Sequence, residues 1–134
     1  MTEKTRENQL TSNDAIEMAR IADQEKAEDV MILDMRGLVN FTDFFVLCNG
    51  HTRTHQRRIG NAIEKALKDR GHKCFNSAGY RDTDWVVLDF SDIVVHIFTE
   101  ETRGFYALER LWADAEAVEW APEEEDSRAS ASAN

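Results

Sequence analysis

Two short apolar runs dominate the second half of the chain, residues 85–90 and 93–98, and only two polar residues separate them. Both runs are rich in β-branched and aromatic residues, so the pattern predicts a tight antiparallel hairpin. Because side chains alternate along a strand and nearly every position is apolar, we expect a sheet covered on both faces. Asp89 and His96 are the polar exceptions, and each needs a partner if it is buried.

After the hairpin, the hydrophobic spacing changes to that of a helix. Apolar residues recur at intervals of three and four, at Phe105, Leu108, Leu111, Trp112 and Ala115. Such intervals place the side chains on one side of an α-helix. The pattern therefore predicts one helix through this segment.

The first half of the chain predicts two more helices. Capping residues at 11–14, followed by small apolar residues, predict a helix over about 12–26. The clearest amphipathic pattern lies in residues 54–70, and Gly71 follows it as the expected helix stop. Its apolar stripe consists of Ile59, Ala62, Ile63, Ala66 and Leu67.

Short apolar runs at 30–33 and 44–48 predict strands, and residues 73–76 predict a weaker strand near a sheet edge. The element order is then helix, two strands, helix, three strands, helix. Strand groups that alternate with helices are typical of α/β proteins. We therefore expect a single α/β domain with a mixed five-stranded sheet and helices on its faces.

A length of 134 residues suits one domain with its own core. The polar, charged ends predict a flexible arm at 1–10 and an acidic disordered tail at 121–134, around a domain at 11–120. The absence of a long apolar run predicts no membrane span, and the polar N-terminus predicts no secretory signal. Cys48 and Cys74 fall in predicted strands and are expected to be reduced, as in a cytoplasmic protein.

The formal net charge of −10 argues against broad nucleic-acid binding and favours basic partners. The predicted helix 54–70 nevertheless carries or adjoins six basic residues: Arg53, Arg57, Arg58, Lys65, Lys68 and Arg70. One interpretation is contact with an RNA phosphate backbone. A solvated helix face is the more ordinary one, since no aromatic residues interleave with these charges to stack on bases.

No pattern in the chain indicates a catalytic or metal site. His51 and His55 have the spacing of a ligand pair, but zinc needs three or four ligands and no second pair accompanies them. His96 has acidic residues nearby, but no nucleophile elbow is present. We therefore expect His96 to be structural and the protein to need no metal or cofactor.

The best candidate for a binding surface is aromatic. Three large aromatic residues occur near three charged ones in the chain: Trp85, Tyr106 and Trp112, with Asp89, Arg103 and Glu109. Tryptophan, tyrosine and arginine dominate the hot spots of protein interfaces. Large aromatic residues are also typical of cores. The residues alone leave core and interface equally open.

The same region resembles the ribosomal silencing factor family, known as RsfS or Iojap. The matching motifs are Trp-Val-Val-Leu-Asp from Trp85, Asp-Ile-Val-Val-His from Asp92, Arg-Gly-Phe-Tyr-Ala-Leu-Glu from Arg103, and Thr-Asp-Phe-Phe-Val-Leu from Thr42. The resemblance runs from about residue 12 to 114.

Three positions depart from the family pattern. Ser91 stands where the family usually has glycine, which puts a hairpin turn with positive φ in question. Ala78 replaces a usual glutamate, and Asn49 replaces a small residue. None of them lies in the Tyr-x-Leu-Glu segment, so we expect the function to be retained.

The resemblance implies a nucleotidyltransferase-like fold without the enzymatic activity. It implies a translational repressor that binds the large ribosomal subunit at the universal L-fourteen protein and sterically blocks the small subunit. It also implies a homodimer when the protein is free. The binding residues carried over by motif are Trp85, Asp89, Asp92, Tyr106, Glu109 and Trp112, with His96 and Arg103 as supporting residues.

Two alternatives accompany this interpretation. One is a ribosome assembly factor that contacts ribosomal RNA through the basic helix 54–70. The other is an active nucleotidyltransferase, which needs a Gly-Ser turn and paired carboxylates for magnesium. Residues 49–51 lack that serine, and residues 34–36 lack a second carboxylate.

Overall fold

The computed structural model describes residues 9–79 and 84–122. They form the helices α1 (Ser12–Gln24), α2 (Arg53–Asp69), α3 (Glu100–Tyr106) and α4 (Leu108–Leu111) and the strands β1 (Glu28–Asp34), β2 (Phe44–Asn49), β3 (Asn76–Ala78), β4 (Trp85–Asp89), β5 (Ile93–Phe98) and β6 (Glu116–Ala117). The strands form one sheet in the order β3-β4-β5-β2-β1-β6. β2 and β5 are parallel, and the other neighbours are antiparallel.

The mixed α/β architecture is confirmed, but the expected strand count of five is wrong because the sheet has six strands. β6 is only two residues long and both are exposed, so it leaves no hydrophobic pattern to find. The third strand occupies Asn76–Ala78 rather than residues 73–76, again with every residue exposed. The nucleotidyltransferase-like label stays a prediction.

The predicted hairpin is confirmed, with Trp85 opposite Phe98 and Asp89 opposite Val94. Ser91 has a φ of +77°, so the turn keeps a left-handed residue although it has no glycine. The backbone N–H of Ser91 donates to Asp89 Oδ1 at 2.7 Å, which holds the turn in place.

α1 and α2 pack on one side of the sheet, which we call the inner face. The main-chain N–H of Thr11 donates to the carboxylate of Asp14 at the start of α1, and Gly71 follows α2 with a φ of +91°. The inward residues of β4, Val86 and Leu88, are fully buried here. Both long helices therefore begin and end close to the predicted bounds.

α3 and α4 pack on the opposite side, the outer face. The single helix expected here is wrong, because Ala107 adopts a left-handed conformation with φ 45° and ψ 53° and divides it in two. The break lets Leu108 enter the core while Phe105 and Leu111 stay 78% and 68% exposed. One apolar stripe on a straight helix would have required all three to point the same way.

The chain ends of the described region pack on the domain. Leu10, within the predicted arm, is buried, and its N–H donates to the Asp92 carboxylate at 3.0 Å. Trp120 donates its indole N–H to the Val30 carbonyl at 3.3 Å. Residues 1–8 and 123–134 lie outside the described residues, so the predicted boundaries stay predictions. No helix within 9–79 or 84–122 is long and apolar enough to cross a bilayer.

Candidate functional site

The outer face of the sheet is only partly covered. Trp85, Val87 and Asp89, the outward residues of β4, are each partly exposed, whereas the inward residues between them are buried. Tyr106, at the end of α3, is 45% exposed. Large apolar groups at the surface of a sheet are the usual signature of an interaction site.

Aromatic rings on this face touch one another in a continuous series, which we call the aromatic row: Phe41, Phe45, His96, Trp85 and Tyr106. The successive ring centroids are 6.4, 4.6, 5.8 and 4.5 Å apart. These separations are those of favourable ring pairs. The row thus crosses the sheet from the β1–β2 loop to α3.

Trp112 joins the row from the side. Its ring lies 6.5 Å from that of Phe45, nearly perpendicular to it, and the side chain is half-buried in the outer core. Of the three candidate aromatics, Trp112 and Trp85 therefore have a packed side and an exposed side. Tyr106 is the one most open to a partner.

His96 holds the orientation of Trp85 from beneath. The Trp85 indole N–H donates to His96 Nδ1 at 3.1 Å, so the neutral imidazole carries its proton on Nε2. Burial lowers the pKa of His96 to about 4, which keeps the ring neutral near pH 7. Nε2 has no hydrogen-bond partner among the described residues. His96 thus orients Trp85, and its supporting role in binding stays a prediction.

Arg103 ties α3 to the strands. Its buried guanidinium donates through Nη1 to the Asp29 carbonyl and to Asn49 Oδ1, both at 2.9 Å. Nε forms an ion pair with Glu109 at 3.2 Å. The asparagine that departs from the family pattern therefore has a defined role, since it accepts a hydrogen bond from a buried charge.

The six predicted binding residues do not form one cluster. Trp85, Tyr106 and Trp112 lie along or beside the aromatic row, whereas Glu109 pairs with the buried Arg103. Asp89 is four residues along β4 from Trp85, about 13 Å away at the usual rise per residue.

Asp89 and Asp92 accept hydrogen bonds at the turn end of the hairpin, away from Trp85. The Asp89 carboxylate accepts from the turn, while Asp92 accepts from Leu10 and lines a cavity of about 270 Å³ with Phe90 and Phe75. Phe90 belongs to the inner core, so Asp92 lies away from the aromatic row. Sequence proximity had suggested one patch, but the strand separates its two ends.

Four exposed carboxylates in and after the outer helices have no internal counter-ion among the described residues. Glu100 and Glu101 open α3, and Asp114 and Glu116 follow Trp112 in the chain. None of the four makes an ion pair within the described part of the chain. Unpaired acidic groups on the same chain segment as Tyr106 and Trp112 favour a basic protein surface as the ligand.

The basic helix α2 offers much less free charge than its sequence suggests. Arg53 pairs with Asp84 at 2.9 Å, Arg58 with Glu25 at 3.4 Å, and Lys65 with Asp69 at 3.2 Å. Arg70, just after the helix, lies 3.3 Å from a Glu17 oxygen. These acidic partners reduce the positive potential that an RNA backbone would require.

The histidine pair at the start of α2, His51 and His55, forms hydrogen bonds within the domain. His55 Nδ1 accepts the backbone N–H of His51 at 2.8 Å, and His55 Nε2 lies 2.7 Å from the Glu25 carbonyl, to which it donates. Both ring nitrogens of His55 are therefore occupied. Within residues 9–79 and 84–122, no group of three or more His, Cys, Asp or Glu side chains is placed to hold a metal ion.

The residues weighed for phosphoryl transfer also have structural partners. A Cβ at Gly50 would lie 2.9 Å from Gln56 Cγ, so close packing of α2 requires this glycine. Asp34 accepts two side-chain hydrogen bonds from Arg36, which hold the pKa of its carboxyl below the usual range. Packing thus explains Gly50, and pairing with Arg36 explains Asp34.

Sequence reasoning missed two exposed residues at one end of the row, Leu38 and Phe41, which are 40% and 59% exposed. They lie in the loop between β1 and β2, where the only signal was a run of apolar residues after a glycine turn. Such a run is equally typical of a loop that packs on its own domain.

Comparison with known proteins gives a consistent result. A family model described as "Ribosomal silencing factor during starvation" matches residues 8–134. The ribosomal silencing factor RsfS of Halalkalibacterium halodurans is 33% identical over 111 residues, which cover 82% of this chain and 95% of that protein. The mouse mitochondrial assembly of ribosomal large subunit protein 1 is 32% identical over 92 residues, 66% of this chain and 40% of that protein.

A crystal structure from Chromobacterium violaceum shares the fold, with a TM-score of 0.73 and 23% identity over 84% of this chain and 93% of that one. The family match spans almost the whole chain and includes all the residues of the aromatic row. The chain therefore belongs to the ribosomal silencing factor family.

Proposed function

We propose that this protein is a translational repressor that binds the large ribosomal subunit at the universal L-fourteen protein and blocks association of the small subunit. Membership of a family named for ribosome silencing supports the repressor role. A relative named for assembly of the ribosomal large subunit supports that subunit as the target. The choice of the L-fourteen protein comes from the family resemblance.

The observation that carries the proposal is the exposed Trp85–Tyr106 pair. The two rings lie 4.5 Å apart, and Trp85 is fixed by its hydrogen bond to His96 and by stacking on Phe98 at 5.2 Å. A rigid aromatic anchor loses little side-chain entropy on binding. The chain's net charge of −10 would speed the encounter with a basic protein.

The proposed mechanism needs no chemical step. A domain of 15.4 kDa seated on the large subunit occupies space that the small subunit must enter. Repression then depends on affinity and position alone, so the protein acts without a cofactor and not as an enzyme. We propose that it works in the cytoplasm and forms a homodimer when free, which light scattering after size exclusion would test.

Tyr106→Ala is the sharpest test of this face. Truncating a central aromatic anchor commonly costs about 2–4 kcal/mol of binding free energy. We expect at least a tenfold loss of affinity for the isolated L-fourteen protein and of co-sedimentation with large subunits. Phe75→Ala is the matched control, because Phe75 is 70% exposed but belongs to the cavity near Asp92 rather than to the aromatic row.

Subunit joining provides the functional readout. Wild-type protein in excess should leave separate large and small subunits on a gradient, the control should behave alike, and Tyr106→Ala should permit joining. Normal joining with saturating wild-type protein would refute the repressor mechanism. Equal binding by the two folded variants would instead reject this face.

Ribosomal RNA contact through α2 is the second candidate. Three of its basic side chains and the adjacent Arg70 already have acidic partners, which disfavours it, and Lys68 makes no ion pair among the described residues. Loss of large-subunit binding in Lys68→Glu, with normal binding by Tyr106→Ala, would make this candidate the better one.

A further inference from the structure

We propose that the β1–β2 loop, residues 35–43, makes a second contact with the same basic ribosomal protein, at the opposite end of the aromatic row from Tyr106. This inference rests on the proposed function and adds to it. It gives the interface two apolar ends, and it assigns Leu38 and Phe41 to binding although no sequence motif had indicated them.

The loop presents apolar groups to solvent from a well-anchored backbone. Met35 is completely buried at its start and accepts hydrogen bonds from the N–H groups of Leu38 and Val39. The Met35 N–H donates to the Asp43 carbonyl at 2.8 Å, which closes the loop. Phe41 is therefore displayed by a folded turn, and little ordering is needed when it binds.

The loop is continuous with the aromatic row. The Phe41 ring lies 6.4 Å from that of Phe45, and Phe45 contacts both His96 and Trp112. Phe45 and His96 are buried, so a partner that covers Trp85 and Tyr106 must extend across these two rings to reach the exposed Phe41. Interface anchors are typically several aromatic groups in one patch rather than a single ring.

The charges identify a basic protein as the occupant rather than a second copy of this chain. Arg36 is the only basic residue of the loop, and Asp34 neutralises it with hydrogen bonds of 2.9 and 2.7 Å. Glu100 opens α3 and Asp114 follows α4, and both are exposed and make no ion pair among the described residues. A basic protein is attracted by the net charge of −10, whereas a second copy shares that charge and gains no such attraction.

The test measures the affinity of the full chain for the isolated L-fourteen protein in four variants. Phe41→Ser and Leu38→Ser probe the loop, Tyr106→Ala probes the other end, and Phe75→Ser is an exposed phenylalanine outside the row. Because the loop residues are surface groups, circular dichroism and melting should match the wild type. Leu38→Ser covers the case in which Phe41→Ser fails to fold.

We expect Phe41→Ser to weaken binding about tenfold, Leu38→Ser to weaken it by a smaller factor, and Phe75→Ser to leave it unchanged. Normal binding by both loop variants, with loss in Tyr106→Ala, overturns the loop contact and leaves the proposed function intact. A loop effect confined to self-association also overturns it. Failure of the wild type to bind the ribosomal protein overturns both.

Discussion

The two faces of the sheet are covered very differently. Two helices of 13 and 17 residues cover the inner face, and residues such as Ile63 and Ile97 there have no exposed surface. The outer face has helices of seven and four residues, and much of its aromatic surface stays exposed. The inner face completes a core, whereas the outer face retains exposed apolar area, which the proposed function assigns to a partner.

This difference gives the same kind of residue opposite roles. On the inner face, an apolar side chain stabilises the domain by leaving water when the chain folds. On the outer face, Tyr106 and Phe41 stay largely exposed, and under the proposed function they make that gain on binding. Truncation should therefore reduce the free energy of unfolding on one face and the binding affinity on the other.

The largest expected effect is in the inner core. Ile63→Ala should lower the free energy of unfolding by about 2–5 kcal/mol, because it removes buried methyl and methylene groups and leaves a cavity under the sheet. Phe105→Ala, on the exposed side of α3, should change it by less than about 0.5 kcal/mol. Urea titrations measure both, and similar losses would contradict the difference between the faces.

Periodicity predicted the inner face well and the outer face poorly, for a physical reason. The stripe of α2 points into one continuous core, so spacing alone fixes its direction. The outer stripe from Phe105 to Ala115 is broken at Ala107, where burial of Leu108 and the Arg103–Glu109 ion pair compete with a straight helix. These are tertiary contacts, and local spacing contains no information about them.

The candidate site stays a prediction, and the structure bears on the arrangement of its residues alone. Trp85 and Tyr106 lie together as the hot-spot composition suggested. Asp89 and Asp92 are close to Trp85 in the sequence, yet they lie at the turn end of the hairpin, away from Trp85. Leu38 and Phe41 were missed because exposure of an apolar loop residue depends on which elements fold beside it.

The second-largest expected effect is a loss of domain stability in acid, caused by protonation of His96. Burial lowers the pKa of His96 from 6.5 to about 4, so the unfolded chain binds this proton at a higher pH than the folded domain. Stability from this residue is complete above about pH 7 and is lost as the pH falls towards 4. The loss amounts to about 3 kcal/mol at 1.36 kcal/mol per pKa unit.

Chemical unfolding at several pH values between 7 and 4 isolates this contribution when the wild type is compared with His96→Gln. Glutamine does not titrate, yet its carbonyl can still accept the Trp85 N–H. The wild type should lose more stability across this range than the variant. Parallel curves for the two proteins would show that His96 is not the titrating group.

The smallest expected effect is also the most direct test of the broken helix, because one substitution should have opposite signs on the two faces. Ala107→Gly should raise the free energy of unfolding by about 0.5–1 kcal/mol, since glycine adopts φ 45° without the steric cost of a Cβ. Ala62→Gly, inside the regular helix α2, should lower it by about 1 kcal/mol. Equal destabilisation by both would mean that Ala107 is right-handed in solution, and the outer helix would then be continuous, as its spacing predicts.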